Sequence, residues 1–377
     1  MSEEELAAKG AKKGRDSSRP LKVESKQEDS LTAKIAKGAK KKTEMGHRNL
    51  VLAGDIGGTK THLALFSVDG EKLRSESLRT FPSKRYSGLV PVLQEFLAGD
   101  QNKIDSACFG IAGPVVDDKV KTPNLPWMID TIELRRALKL DSVSLLNDLE
   151  AGAYGIFTLG DDEFYTLNAG TIRLSGNKAL IAAGTGLGQA ILHDDGRRFH
   201  PLASEGGHAD FAPRDELEIE LLRYLIGRFG HVSYERVISG PGLFNIYRFF
   251  KESRGLEEPK SLAEQFAAAD DPSAVISKAA LAGESEICVK SLDLFVSIYG
   301  AEAGNLALTA KSVRGLYIGG GIAPKILAKL KDGNFMRAFA DKGRYSEFIA
   351  AIPVQVVLND QAALRGAAYY ATYLASD

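Results

Sequence analysis

Cysteine is almost missing from this chain: its 377 residues contain only Cys108 and Cys288. The two lie far apart in apolar surroundings, which excludes a clustered zinc set and a disulfide framework and points to a reducing compartment with both thiols in a core. Net charge is nearly absent too. Against 48 Lys and Arg stand 49 Asp and Glu, a formal balance of -1, so nothing draws the whole molecule to nucleic acid or to an anionic membrane. No apolar run approaches the length of a membrane span, and the first residues lack a secretory apolar segment. The expectation is a cytoplasmic globular protein with neither a nucleic-acid nor a membrane partner. Glycine, by contrast, is plentiful at 38 residues, and with 44% hydrophobic content the chain is long enough for two core-forming domains.

Residues 1–46 mix charges, including Glu3, Glu4, Glu5 and Asp16, and have few aromatic or β-branched side chains. Such a composition cannot build a core and reads as a disordered charged tail. A mitochondrial presequence would be poor in acids, so that reading is weak. From residue 49 onward the pattern becomes short apolar strands near 50–54, 61–68, 107–112 and 143–146, with helices near 86–98 and 131–138. This is α/β punctuation. A small domain over 47–150 and a large one over 151–377 are expected.

The stretch Leu52–Phe66, LAGDIGGTKTHLALF, sets an acid, two glycines and a threonine between strand-like runs. Paired glycines beside a hydroxyl mean that some group approaches the backbone closely or that φ is positive, and a phosphate is the natural visitor. Rossmann and P-loop turns open a helix. Here Leu63 and Leu65 continue as a strand, so the turn is a hairpin, and a plain hairpin with a solvated Asp55 remains a second reading. The stretch ALIAAGTGLGQAILH repeats the pattern around Gly184, Thr185 and Gly186, which suggests two related halves facing each other across a cleft. A third glycine cluster, Gly319-Gly320-Gly321, follows another strand. Beyond Arg214 the pattern is mainly helical, and the chain closes on a buried strand and a helix over 360–374.

Polar side chains gather at three further places. In VSLLNDLEAGAYGIF a strand ends at Asn147-Asp148 and a helix begins; a helix cap and a ligand group at a strand's carboxyl end both fit. LASEGGHADFAP carries Glu205 and His208, too few for a zinc set, and SYERVISGPG carries Glu235. Each alone is explicable as structure. Together Asn147, Asp148, Glu205, His208 and Glu235 supply what a polyol needs: acceptors and donors for several hydroxyls and one carboxylate placed as base.

The ordered series GDIGGTKT, GIAGPV, LLNDLEAGAYGI, GTGLGQA, EGGHADFAP, ERVISGPGLFNIYR and GGGIAPK, from about Asn49 to Tyr373, resembles the bacterial glucokinase family of the hexokinase, actin and heat-shock ATPase superfamily. The resemblance implies a two-domain actin-like ATPase (ribonuclease H-like) α/β fold that closes over glucose and ATP, ATP-dependent phosphorylation of glucose at the 6-hydroxyl, and a homodimer. It also implies roles. Asp148 matches the catalytic base, and Asn124, Asn147, Glu205, His208 and Glu235 match sugar-binding positions. Gly54, Asp55, Ile56, Gly57, Gly58 and Thr59 match the first phosphate turn, and Gly184, Thr185 and Gly186 its counterpart. Gly319, Gly320 and Gly321 would border the adenosine, with Asp55 holding Mg2+ through water. The C-terminal helix would return to the small domain.

Lys60 and the TPNLPW stretch look more like a related repressor and sugar-kinase group. That group commonly carries a cysteine-rich zinc motif after its Glu-x-x-His region, and EGGHADFAPRDEL has no cysteine, which favours the glucokinase branch. Two alternatives stay open: a hexose kinase of broader or different sugar preference, and a non-catalytic sugar sensor on the same fold.

Overall fold

Asn49–Ile56 (β1) is apolar at nearly every position and buried along almost its whole length, the pattern of a strand covered on both faces. The computed structural model describes residues 49–373 apart from 71, 101, 123 and 173; the tail expected over 1–46 lies outside them. β1 pairs antiparallel with β2 (Lys60–Asp69), and β2 with β3 (Lys72–Pro82). On its other side β1 runs parallel to β4 (Ser106–Ile111). A ribbon of β5 (Lys119–Lys121) and β6 (Met128–Asp130) precedes β7 (Val143–Asn147), which lies parallel to β4.

The second sheet repeats this pattern. After β8 (Phe164–Asn168), the meander β9 (Lys178–Ala183), β10 (Leu187–Asp194) and β11 (Phe199–Ser204) is antiparallel. Two parallel strands, β12 (Leu316–Gly319) and β13 (Val354–Val357), extend it from β9, and β8 closes the far edge. The strand orders are therefore β3-β2-β1-β4-β7 and β11-β10-β9-β12-β13-β8. Both glycine turns are hairpins, the first joining β1 to β2 and the second β9 to β10.

Helices α1 (Leu89–Phe96) and α2 (Thr131–Leu138) cover one face of the first sheet, burying Leu89, Val92, Leu93, Phe96 and Leu134 against Leu50, Leu52 and Phe109. Helix α3 (Asp148–Gly155) follows the first sheet but packs Ala153, with Ile156 just beyond it, on Leu180, Ala190 and Leu192 of the second. Helices α4 (Glu216–Phe229), α5 (Gly240–Glu252) and α6 (Glu286–Ala310) build the largest core over the second sheet. The last of these is apolar on most sides, as befits a helix buried all round.

The closing helix α7 (Ala362–Tyr373) follows the second sheet but packs Leu364, Ala367, Ala368 and Ala371 on Val51, Ala53 and Cys108 of the first. Its small residues permit this. A Cβ at Gly366 would sit 1.8 Å from the Ala151 carbonyl oxygen, and one at Gly155 would sit 1.9 Å from that of Ala362. The chain thus crosses between the sheets twice, through α3 and α7, with backbone nearly touching backbone.

Candidate active site

The first glycine turn is closed by the Gly57 N–H donating to the Lys60 carbonyl at 2.9 Å. Ser83 holds it from behind: its hydroxyl donates to the Gly57 carbonyl at 2.8 Å and its N–H to that of Thr59 at 3.0 Å. Neither Gly57 nor Gly58 has a positive φ, so the glycines answer to close approach alone. A Cβ at Gly58 would meet the Asn124 Cβ at 2.7 Å. Asn124 is exposed at the tip of a loop pinned by buried Leu125 and Trp127. There the Trp127 indole donates to the Tyr86 carbonyl at 3.0 Å and the Thr122 hydroxyl to that of Leu125 at 2.8 Å.

Asp55 is next to last in β1, two residues before Gly57 of the turn, and its register partner on β4 is Gly110. A Cβ on Gly110 would lie 2.8 Å from that of Ala151 and 3.9 Å from the Asp148 Cα. This missing side chain lets the start of α3 settle beside β1. Asn147 caps α3, its Oδ1 accepting from the Leu149 N–H at 2.9 Å while its Nδ2 donates to the Gly113 carbonyl at 3.1 Å. The cap expected of Asn147 is therefore real. Asp148, one residue on, accepts from the same Leu149 N–H at 2.9 Å and otherwise opens toward solvent.

The carboxylates around this point feel one another. Burial, and then the charge of Asp148, push the Asp55 carboxyl up to about 6. Desolvation raises Asp148 as well, opposed by the Leu149 N–H and reinforced by Glu205. The charge of Glu205 thus acts on Asp148, although one follows β11 of the second sheet and the other opens α3 after β7 of the first. His208 is 3.9 Å from Glu205, and both are exposed.

The Glu205 loop is seated on β10 through its two glycines. A Cβ at Gly207 would be 2.0 Å from the Leu187 carbonyl oxygen, and one at Gly206 would be 2.5 Å from the Gln189 Oε1. Glu235 reaches the second turn from the opposite side, its carboxylate accepting the Leu187 N–H at 3.0 Å and filling the space beside Gly186. That turn is closed by the Gly184 N–H on the Gly186 carbonyl at 2.9 Å, and the Gly240 N–H donates to the Gly184 carbonyl at 2.8 Å. Beside Gly184 itself the space is open. The third cluster lies against the same turn: Gly320 adopts φ +82, with its would-be Cβ 2.2 Å from the Ala183 carbonyl oxygen, which also accepts from the Ile322 N–H at 3.2 Å. Here the left-handed backbone is a true glycine requirement.

The contacts thus gather the sequence candidates into three linked sets. Gly58 meets Asn124 on the first sheet. Asp55, Asp148 and Glu205 are coupled by charge, with Asn147 capping beneath them. Gly184, Gly186, Glu235 and Gly320 surround the second turn, and Leu149, against which a Cβ at Gly188 would lie at 2.8 Å, joins the start of α3 to β10. Ser83, Gly110 and Gln189 were not foreseen. Gly110 belongs to the GIAGPV stretch and Gln189 to GTGLGQA, so their signals were visible; Ser83 carries none in one sequence. Among the described residues no group of three or more His, Cys, Asp or Glu is arranged to hold a metal ion, and no helix is long and apolar enough to cross a membrane.

A family model described as Glucokinase matches residues 52–374. A glucokinase of Nostoc sp. is 44% identical over 340 residues, covering 86% of this chain and 99% of its own length. One of Synechocystis sp. is 41% identical over 341 residues, covering 84% and 96%. The crystal structure of a glucokinase from an Antarctic psychrotroph superposes with a TM-score of 0.75 at 32% identity, over 85% of this chain and 98% of that one.

Proposed function

The chain belongs to the glucokinase family, and from that premise we propose that Asp148 is its general base, with Asn124, Asn147, Glu205, His208 and Glu235 holding the sugar. The enzyme has the actin-like ATPase fold and phosphorylates glucose with ATP. The observation that carries the assignment is the placement of Asp148, exposed at the start of α3 directly after β7 and beside Gly110 of β4, with charge coupling to Asp55 and to Glu205.

In this reading the 6-hydroxyl of glucose lies against Asp148. As its oxygen attacks the γ-phosphorus of ATP, the proton passes to the Asp148 carboxylate and ADP leaves with the electron pair of the broken bond. A raised carboxyl is a better proton acceptor than an ordinary one. Glu205, His208 and Glu235 fix the remaining hydroxyls, so the reacting oxygen is presented in line, which is most of what phosphoryl transfer demands of a protein. The turns Gly54–Thr59 and Gly184–Gly186 offer backbone N–H groups to the phosphates, and Gly319–Gly321 borders the adenosine.

Mg2+ fits this donor set. The charge of Asp148 adds to burial in raising the Asp55 carboxyl, an arrangement a divalent cation relieves. Magnesium commonly keeps several waters and takes only one or two carboxylates plus substrate phosphates, so Asp55 would hold it through water. Bound there it would neutralise charge developing on the phosphates.

We further read residues 47–150 and 151–377 as small and large domains closing on the substrates, with α7 tied to the first sheet, and the assembly as a cytoplasmic homodimer. The two buried free thiols support the reducing compartment, and sedimentation tests the dimer.

Purified protein assayed with ATP and with other phosphoryl donors across glucose, mannose and fructose tests the function. The reading requires glucose with ATP to give the highest kcat/KM. A preference for another hexose supports the broader sugar kinase instead, and sugar binding without turnover supports the sensor.

A further inference from the structure

Behind the sugar-side loops lies a buried polar knot that the mechanism above does not use. Glu302 of α6 is 5% exposed, as is Gln189 of β10. The Gln189 Nε2 donates to the Glu302 Oε1 at 2.6 Å, and the Asn305 Nδ2 to Oε2 at 2.9 Å. Asn305 also donates to the Tyr234 hydroxyl at 3.1 Å, and that hydroxyl bonds the Glu302 carboxylate as well.

The two ends of this knot are informative. Gln189 presents its Oε1 to Gly206, next to Glu205, and its carbonyl accepts the Ser204 hydroxyl at 3.0 Å. Tyr234 immediately precedes Glu235, and its N–H donates to the Ala209 carbonyl at 3.0 Å. A single carboxylate therefore grips both loops that carry proposed sugar contacts.

We propose that Glu302 is a positioning residue for the sugar: it sets the spacing between the Glu205–His208 loop and the Glu235 turn through Gln189 on one side and Tyr234 with Asn305 on the other. This rests on the reading of Glu205, His208 and Glu235 as sugar contacts. A knot serving only the core could be apolar throughout, because replacing a whole buried charged network by well-packed apolar side chains is often neutral or stabilising. A fully partnered buried network instead specifies one geometry.

The test compares Glu302→Leu, Gln189→Leu and Asn305→Ala with Glu302→Gln, which keeps shape and an acceptor for Gln189. Glu302→Leu is expected to raise the glucose KM about 10- to 100-fold, since a displacement near 1 Å has that order of effect. In the protein that folds the ATP KM should change little while the melting temperature falls, because Gln189, Asn305 and Tyr234 lose a buried acceptor; each single-arm variant should show a smaller rise in glucose KM, and Glu302→Gln should recover much of the loss. Unchanged glucose KM in Glu302→Leu, or glucose and ATP KM rising together with a loss of folded protein, overturns the proposal. If Glu302→Leu does not fold, unchanged glucose KM in both Gln189→Leu and Asn305→Ala does the same. Glu235→Gln, run alongside, separates the two levels. An unchanged glucose KM there removes the sugar subsite itself, whereas a raised one beside unaltered Glu302 and Gln189 variants removes only the positioning role.

Discussion

Gly110→Ala adds one methyl at the point where β4 faces the start of α3, and the structure gives the size of the insult. The new Cβ would stand 2.8 Å from the Ala151 Cβ, against an ordinary carbon contact of about 3.5 to 4.0 Å, so α3 has to retreat by about 1 Å. Ala151 is fully buried, and overpacking of this kind costs about 1 to 3 kcal/mol. The functional effect should be larger, because the helix that retreats carries Asp148. A misplacement of that size is worth up to about 100-fold in rate. Glucose 6-phosphate formation followed by a coupled dehydrogenase, with a thermal melt on the same sample, should show kcat falling well out of proportion to stability. Ala151→Gly removes the opposing methyl and on its own costs about 1 kcal/mol of helix propensity. Combined with Gly110→Ala it should restore much of the lost kcat, the non-additivity expected of touching residues. Turnover near wild type in Gly110→Ala, or no recovery in the double variant, refutes the idea that this contact sets the position of Asp148.

Three further outcomes are expected. Glu205→Gln removes a charge that raises the Asp148 carboxyl, so the acid limb of the kcat profile should move to lower pH; an unmoved limb disconnects the two groups. Asp55→Asn should weaken the dependence of the rate on magnesium with glucose affinity preserved, as read from titrations at limiting metal; wild-type behaviour there denies Asp55 its metal role. Burial lifts Glu163, but the Gly160 N–H, the Asn359 amide and Arg365 at 2.9 Å together hold its carboxyl below the ordinary value. A depressed carboxylate contributes stability above its unfolded pKa and loses it as pH falls through the folded one, so Arg365→Met should flatten the decline of Tm in that acid range, and an unchanged profile contradicts this.

Both hairpin turns were legible in the sequence because their glycines interrupt strand alternation, and the long apolar stripe of α6 was equally plain. The edge strand β3 was not, since KLRSESLRTFP exposes most of its side chains and carries no apolar period. β11 escaped because His200 and Pro201 fall within it and Arg197 and Arg198 precede it, and the three-residue strands β5 and β6 are too short to show a pattern. The residue types of the site were readable, but their grouping was not. That the charge of Glu205 acts on Asp148 depends on Gly206 and Gly207 seating a distant loop on β10, and that Gly58 is a glycine because of Asn124, not because of its φ, depends on a contact between a turn and a loop far apart in sequence. Glu302 and Asn305 did leave a trace, as polar residues three apart within an apolar helix, though nothing in the sequence named Gln189 and Tyr234 as their partners.

The most direct measurement is the rate of glucose phosphorylation by Asp148→Asn together with its glucose affinity by calorimetry. The amide keeps the shape of the side chain but cannot take the hydroxyl proton, so turnover should fall by roughly 100- to 10,000-fold while glucose still binds nearly as well as to the native enzyme. Turnover within a factor of a few of the native rate, or glucose binding lost in step with activity, would contradict the assignment of Asp148 as the general base.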